Sequence, residues 1–129
     1  MQNIVNIALL VRDYDEAIQF YTQVMQFDLV EDSVVTPEKR FVRVKPKGGH
    51  GTSLLLVKAR KPQEIAAIGN QSGGKVFLFL HIDDFESYVP HLLAHDLEVL
   101  RGPVVEPYGK VVVVRDIYGN KWDIIQPQA

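Results

Sequence analysis

The sequence predicts an α+β protein made of two βαβββ modules, and three observations carry the prediction. The chain has 129 residues, the length of one ordinary domain. Two apolar runs rich in branched residues, 4–11 and 75–82, each stop at charged residues. Each leads into a helical pattern and then into three shorter strand candidates. Finally, Val11-Arg12-Asp13-Tyr14-Asp15 lines up with Ile82-Asp83-Asp84-Phe85-Glu86, which marks an internal duplication. Hydrophobic residues make up 47% of the chain and charged residues 23%, the balance of a folded globular domain. A net charge of −2 without a run of like charges argues against nucleic-acid or membrane-surface binding through a basic patch. Zero cysteines exclude disulfides, a thiolate nucleophile and cysteine-ligated zinc. The opening MQNIVNIALLVRD has no basic n-region and too short an apolar run to span a bilayer, so a cytoplasmic protein is expected.

Taken in order, the first apolar run reads as a strand buried on both faces. Asp13 with Glu16 three residues later is a capping-box pattern, with Asp in place of Ser or Thr. Ala17, Tyr21, Val24 and Met25 recur at helical spacing and predict a helix over 14–25. Strands follow at 28–35, 39–45 and 52–58, separated by Pro37 and by Gly48, Gly49 and Gly51. Residues 61–74, rich in glycine at the end, read as a linker between module 1 (about 1–60) and module 2 (about 75–129) of a single domain. In the second module the strand 75–82 precedes a helical pattern in Phe85, Tyr88, Val89, Leu92 and Leu93, then strands at 97–101, 110–115 and 121–126. Pro90 inside a helix capped by Asp84 would remove a hydrogen bond at roughly 3 kcal/mol. A cap at Ser87 puts it in the first turn instead, so a tight turn at 84–87 and a helix from Tyr88 are expected. One helix covers only one face of a four-stranded sheet. Two curved sheets set side by side are expected to enclose a concave trough lined by alternate strand residues.

The chain resembles the vicinal oxygen chelate superfamily, which includes glyoxalase I, bleomycin-resistance proteins and extradiol dioxygenases. The resemblance rests on Val11-Arg12-Asp13 before a helix with Phe20-Tyr21, and on Phe79-Leu80-His81-Ile82-Asp83-Asp84. It rests above all on the closing Asp116-Ile117-Tyr118-Gly119-Asn120-Lys121-Trp122-Asp123-Ile124-Ile125-Gln126, which matches D-P-x-G-N-x-x-E-L-x-Q except at Ile117 and Asp123. It implies the glyoxalase/bleomycin-resistance/dioxygenase fold for almost the whole chain. Such a fold hosts isomerases, lyases, dioxygenases and pure binding proteins. Enzymes of the family bind a metal through four side chains, commonly His or Gln, Glu, His and Glu. The matching positions here are Asn6, Leu55, Phe77 and Asp123. Leu and Phe have no lone pair to donate, and a catalytic divalent ion usually takes three protein ligands, so no cofactor is expected at the family position.

Within the trough that the resemblance implies, Asn6, Leu10, Leu55, Phe77, Phe79, His81, Lys121 and Asp123 lie on inward strand positions. They make an apolar floor with a few polar groups, the usual character of a small-molecule site. Phe77 and Phe79 either fill the space of a lost metal or stack on a ligand. Histidine titrates near neutral pH, which makes His81 the candidate for proton transfer; its alternative is a strand-end histidine bonded to Asp83 or Asp84. His81 lies roughly 13 Å along the strand from position 77, too far to replace a ligand there. Asp123 reads as a second catalytic candidate or as half of an ion pair with Lys121 or Arg43. In the loop Glu106-Pro107-Tyr108-Gly109, Tyr108 can stack on a planar ligand and Glu106 can read a cation, and a plain surface turn explains the same letters. His91 and His95 read as a solvated helix face, and Trp122 as core. Two functions remain. One is a metal-independent binder of a small apolar or aromatic molecule; the other is a glyoxalase-like lyase, an isomerase or an extradiol-dioxygenase-like enzyme with a relocated metal. A homodimer is expected, because each module leaves a sheet face uncovered.

Overall fold

The computed structural model describes residues 1–129, which form two compact units, Met1–Ile68 and Gly69–Ala129. In the first unit the strands are β1 (Asn6–Val11), β2 (Asp28–Thr36), β3 (Lys39–Lys45) and β4 (Ser53–Lys58). They lie in the order β1-β4-β3-β2, with β1 parallel to β4 and the other pairs antiparallel. A helical crossover after β1 and two hairpins after β2 produce this order, returning β4 to the side of β1.

Asp13 caps α1 (Tyr14–Gln19) as its sequence position predicts, accepting the Glu16 N–H at 2.8 Å. The helical course does not stay α-helical to residue 25. It widens into a π-helical turn over Phe20–Val24, in which the Met25 N–H reaches back to the Phe20 carbonyl at 3.1 Å. The wider turn lets the adjacent Phe20 and Tyr21 both bury, their rings edge to face at 5.1 Å. Beneath α1, Leu9, Val11, Val42, Val44, Leu54 and Leu56 are buried on one sheet face. On the other face Ala8 is exposed, with Asn6 and Leu10 half-buried. This corrects the expectation of a first strand buried on both faces: only one face carries a helix, so β1 alternates. Arg40 ties α1 to the sheet through Asp15 at 2.9 Å and Asp32 at 2.7 Å. Hydrogen bonds from Asp32 first, then Asp15, hold its guanidinium above the ordinary arginine range.

The stretch expected as a plain linker contains α2 (Pro62–Ala67). Pro62 in the first turn and Glu64 behind it are helix-start signals. The Glu64 carboxylate accepts the Arg60 N–H at 2.9 Å, and bonds from Arg60 and Lys61 hold it below the usual carboxylate range.

The second unit repeats the plan with β5 (Val76–His81), β6 (Val99–Glu106), β7 (Gly109–Arg115) and β8 (Lys121–Pro127) in the order β5-β8-β7-β6. Its helix, α3 (Phe85–Leu93), departs from expectation: Asp84 is the cap and Pro90 sits inside. The Asp84 carboxylate accepts the Ser87 N–H at 3.3 Å, and the Tyr88 N–H closes on the Asp84 carbonyl at 2.9 Å. The first turn is held from the sheet. Phe85 is buried, and its N–H donates to Gln126 Oε1 at 2.7 Å. Burying Phe85 contributes about 2–3 kcal/mol, which with the satisfied terminal donors offsets the roughly 3 kcal/mol that Pro90 costs. On the sheet face that Gln126 shares, Leu80, Val112, Val114, Trp122 and Ile124 are buried, so Trp122 is core.

The closing motif is a turn. The Asp116 carboxylate, only 5% exposed with its residue, accepts the Tyr118 and Asn120 N–H groups at 2.9 Å each and the Asn120 side-chain amide at 2.8 Å. Gly119 takes φ +99° within it. The first five residues of this closing motif therefore build the β7–β8 connection, while Lys121, Asp123 and Ile125 beyond them lie on the sheet face opposite to Trp122.

Candidate functional site

In each unit the helix takes one sheet face, and the candidate residues fall on the other. In the first unit, strand register puts Ala8, Leu55, Arg43 and Glu31 in one cross-strand row, with Asn6 beside Ser53 and Leu10 beside Val57. Asn6, Leu10, Arg43 and Leu55 thus share one face. Arg43 is committed within it, to Glu31 and to the Ser53 hydroxyl at 3.4 Å each. It is not the partner of Asp123 that the sequence suggested.

In the second unit the equivalent row is Phe79, Asp123, Val113 and Arg101, and the next is His81, Ile125, Val111 and Val104. The register between β5 and β8 slips between Val76 and Leu78, which places Phe77 at an irregularity beside Lys121. Val111 and Val113 are buried, whereas the Phe79 ring is 65% exposed. Asp123 is half-buried, and its Oδ1 is fully buried without a hydrogen-bond partner. Burial pushes its carboxyl above the ordinary aspartate value, and the positive charge of Arg101 pulls it partway back. Lys121 does not pair with it: the ammonium donates to the Gly74 carbonyl at 2.7 Å.

Arg101 is the residue the sequence did not reveal. The strand expected at 97–101 runs instead from Val99 to Glu106 and carries Arg101 across from Val113. Its guanidinium is held by Tyr108 and by an ion pair with Glu106, and the bond to Tyr108 contributes most to raising its proton affinity. Glu106 pairs with Gly109, so only Pro107 and Tyr108 form the turn. Glu106 is therefore engaged by Arg101, which corrects its reading as a free cation receptor; Tyr108 stays 54% exposed. His81 is exposed at the end of β5, a diagonal neighbour of Asp123, and Asp84 is committed to capping α3. His91 and His95 pack edge to face at 4.9 Å, with His95 Nδ1 at 2.9 Å from the His91 carbonyl.

A divalent metal does not fit the family positions of this chain. Leu55 and Phe77 carry no donor atom, and Asn6 and Asp123 offer one amide oxygen and one carboxylate. Both have a buried, unpartnered Oδ1, and no three His, Asp or Glu side chains gather anywhere in the chain.

Two βαβββ units, each with a parallel first–last strand pair and a helix on one sheet face, define a paired-module α+β protein. The sequence profile of the Glyoxalase/Bleomycin resistance protein/Dioxygenase superfamily matches residues 3–124, and the chain belongs to that superfamily. An uncharacterized protein of Shewanella frigidimarina (strain NCIMB 400) is 48% identical over 126 residues, covering 97% of this chain and 93% of its own length. TnmS3, an antibiotic binding protein from Streptomyces sp. CB03234, superposes with a TM-score of 0.76 at 28% identity, covering 99% of this chain and 98% of that one. A glyoxalase/bleomycin resistance protein from the same Streptomyces superposes with a TM-score of 0.72 at 28% identity, covering 97% and 100%. No helix is long and apolar enough to cross a membrane.

Proposed function

We propose that this chain is a metal-independent small-molecule binding protein that holds an apolar or aromatic compound against the sheet face opposite a helix. In this reading it works in the cytoplasm as a homodimer. The observation that carries the reading is the exposed Phe79 ring in register with a half-buried Asp123 and a buried Val113, on a face without a metal-binding donor set. An aromatic platform with one polar group beside it suits ligand stacking and orientation. The likeness to an antibiotic binding protein supports the same direction.

Protein purified without added metal or chelator tests it. The expected result is a melting temperature that rises with aromatic compounds while elemental analysis finds no stoichiometric metal. One equivalent of zinc, nickel, manganese or iron per chain contradicts the reading. For the dimer, sedimentation equilibrium at micromolar concentration should give twice the chain mass, and a mass of 14.6 kDa contradicts it.

A further inference from the structure

The face of the second sheet opposite α3 holds an acceptor that the protein itself leaves unserved. Asp123 Oδ1 is fully buried and has no hydrogen-bond partner. The cations around it are all engaged elsewhere. Lys121 donates to the Gly74 carbonyl, Arg101 to Glu106 and Tyr108, and Arg115 lies 2.6 Å from Glu98. Buried acceptors are almost always satisfied, because the atom gives up its hydrogen bonds to water. Here the deficit lies next to the most exposed ring of the same face: Phe79 is directly opposite Asp123 in the β5–β8 register. On the other side the face is closed by the buried Val113. Charges on the face balance, Arg101, Lys121 and Arg115 against Glu106, Glu98 and Asp123, so no net field selects a strongly charged ligand.

Resting on the reading of the chain as a small-molecule binder, we infer that Asp123 is its specificity-determining residue. The other oxygen of this carboxylate, which the half-buried residue leaves accessible, accepts a hydrogen bond from an O–H or N–H borne by an aromatic ring that stacks on Phe79. A ring without such a donor buries the same acceptor unpaired and is discriminated against. Ligands of this class include phenols, which are neutral, and arylmethylamines, which are protonated near neutral pH, and the two differ in charge. They are separated by experiment.

Calorimetric titration of the full chain with 2-naphthol, 2-naphthylmethylamine and 2-methoxynaphthalene tests the inference. The donor-bearing compounds should bind at least tenfold more tightly than the methyl ether, a factor one good hydrogen bond supplies. A larger preference for the amine marks a cationic ligand class, and a preference for the naphthol a phenolic one. Asp123→Leu should erase the discrimination while still binding 2-methoxynaphthalene, and Phe79→Ala should weaken all three. Asp123→Asn, which keeps the size and a neutral acceptor, should reduce the discrimination without erasing it, and it serves if the leucine variant does not fold. Equal binding of all three compounds to the parent overturns the inference and leaves the binder reading intact. So does discrimination that persists in Asp123→Leu. Failure of all three to bind overturns the aromatic-binder reading itself.

Discussion

Replacing Asp123 with leucine should make the protein more stable, an unusual outcome for a change at a half-buried strand position. An unsatisfied buried acceptor costs about 1–3 kcal/mol. The carboxyl is only partly buried although Oδ1 is fully so, and the lower part of that range, about 1 kcal/mol, applies. Leucine adds cross-strand apolar contact with Phe79 and Val113, about 0.5 kcal/mol. The lost attraction to Arg101 is small, because that guanidinium is exposed and already bonded to Glu106 and Tyr108. The net gain is about 1–1.5 kcal/mol, or roughly 3–6 °C in Tm. The pH dependence follows from the direction of the shift. Burial raises the native pKa of Asp123 above its unfolded value, so the native state binds the proton more tightly. Stability at this residue is then lost as pH rises from the unfolded value through the native one, with Arg101, Lys121, Arg115, Glu106, Glu98 and His81 the other charged or titratable groups on the face. The advantage of Asp123→Leu is therefore full at pH 7 and shrinks as pH falls toward about 4. Urea unfolding at pH 7 and pH 4.5 measures both. A leucine variant that is less stable than the parent at pH 7, or an advantage that grows on acidification, refutes the reasoning.

Asp116→Ala should cost about 3–4 kcal/mol, since it strands the Tyr118 and Asn120 N–H groups and the Asn120 amide; urea unfolding should lose about 1.5 M in midpoint, and a loss under about 0.5 M contradicts the turn's role. Pro90→Ala should stabilise by about 1–3 kcal/mol, because it restores an N–H inside α3 at an exposed position; a lower Tm contradicts this. Gly69→Ala should destabilise by at least about 2 kcal/mol, since φ is +74° and a Cβ would lie 1.8 Å from the Tyr118 carbonyl oxygen; an unchanged Tm would show that the 69–74 segment is not held against the turn.

The fold was legible because its signals are local and repeated. The branched run ending before Asp13 announces a strand followed by a capped helix, and the alternation around Trp122 assigns faces without any tertiary knowledge. Pro90 misled for a nonlocal reason: the first turn of α3 is held by Gln126, which is 41 positions beyond Phe85. Donor chemistry at Leu55 and Phe77 was readable one residue at a time. Partnerships were not. Lys121 shares a strand face with Asp123, yet its ammonium turns to the Gly74 carbonyl. Arg101 sits before a Gly-Pro pair that reads as a strand end, and only the register across β7 brings its charge toward Asp123. Ion pairing depends on which strands become neighbours, and periodicity carries no such information.

Metal-independent binding of an aromatic compound is tested most directly by calorimetric titration of 2-naphthol before and after exhaustive EDTA dialysis, with Phe79→Ala alongside. The account predicts the same affinity in both preparations and at least a tenfold loss in Phe79→Ala. Binding that disappears with EDTA and returns with zinc or manganese, while Phe79→Ala binds as the parent does, contradicts it.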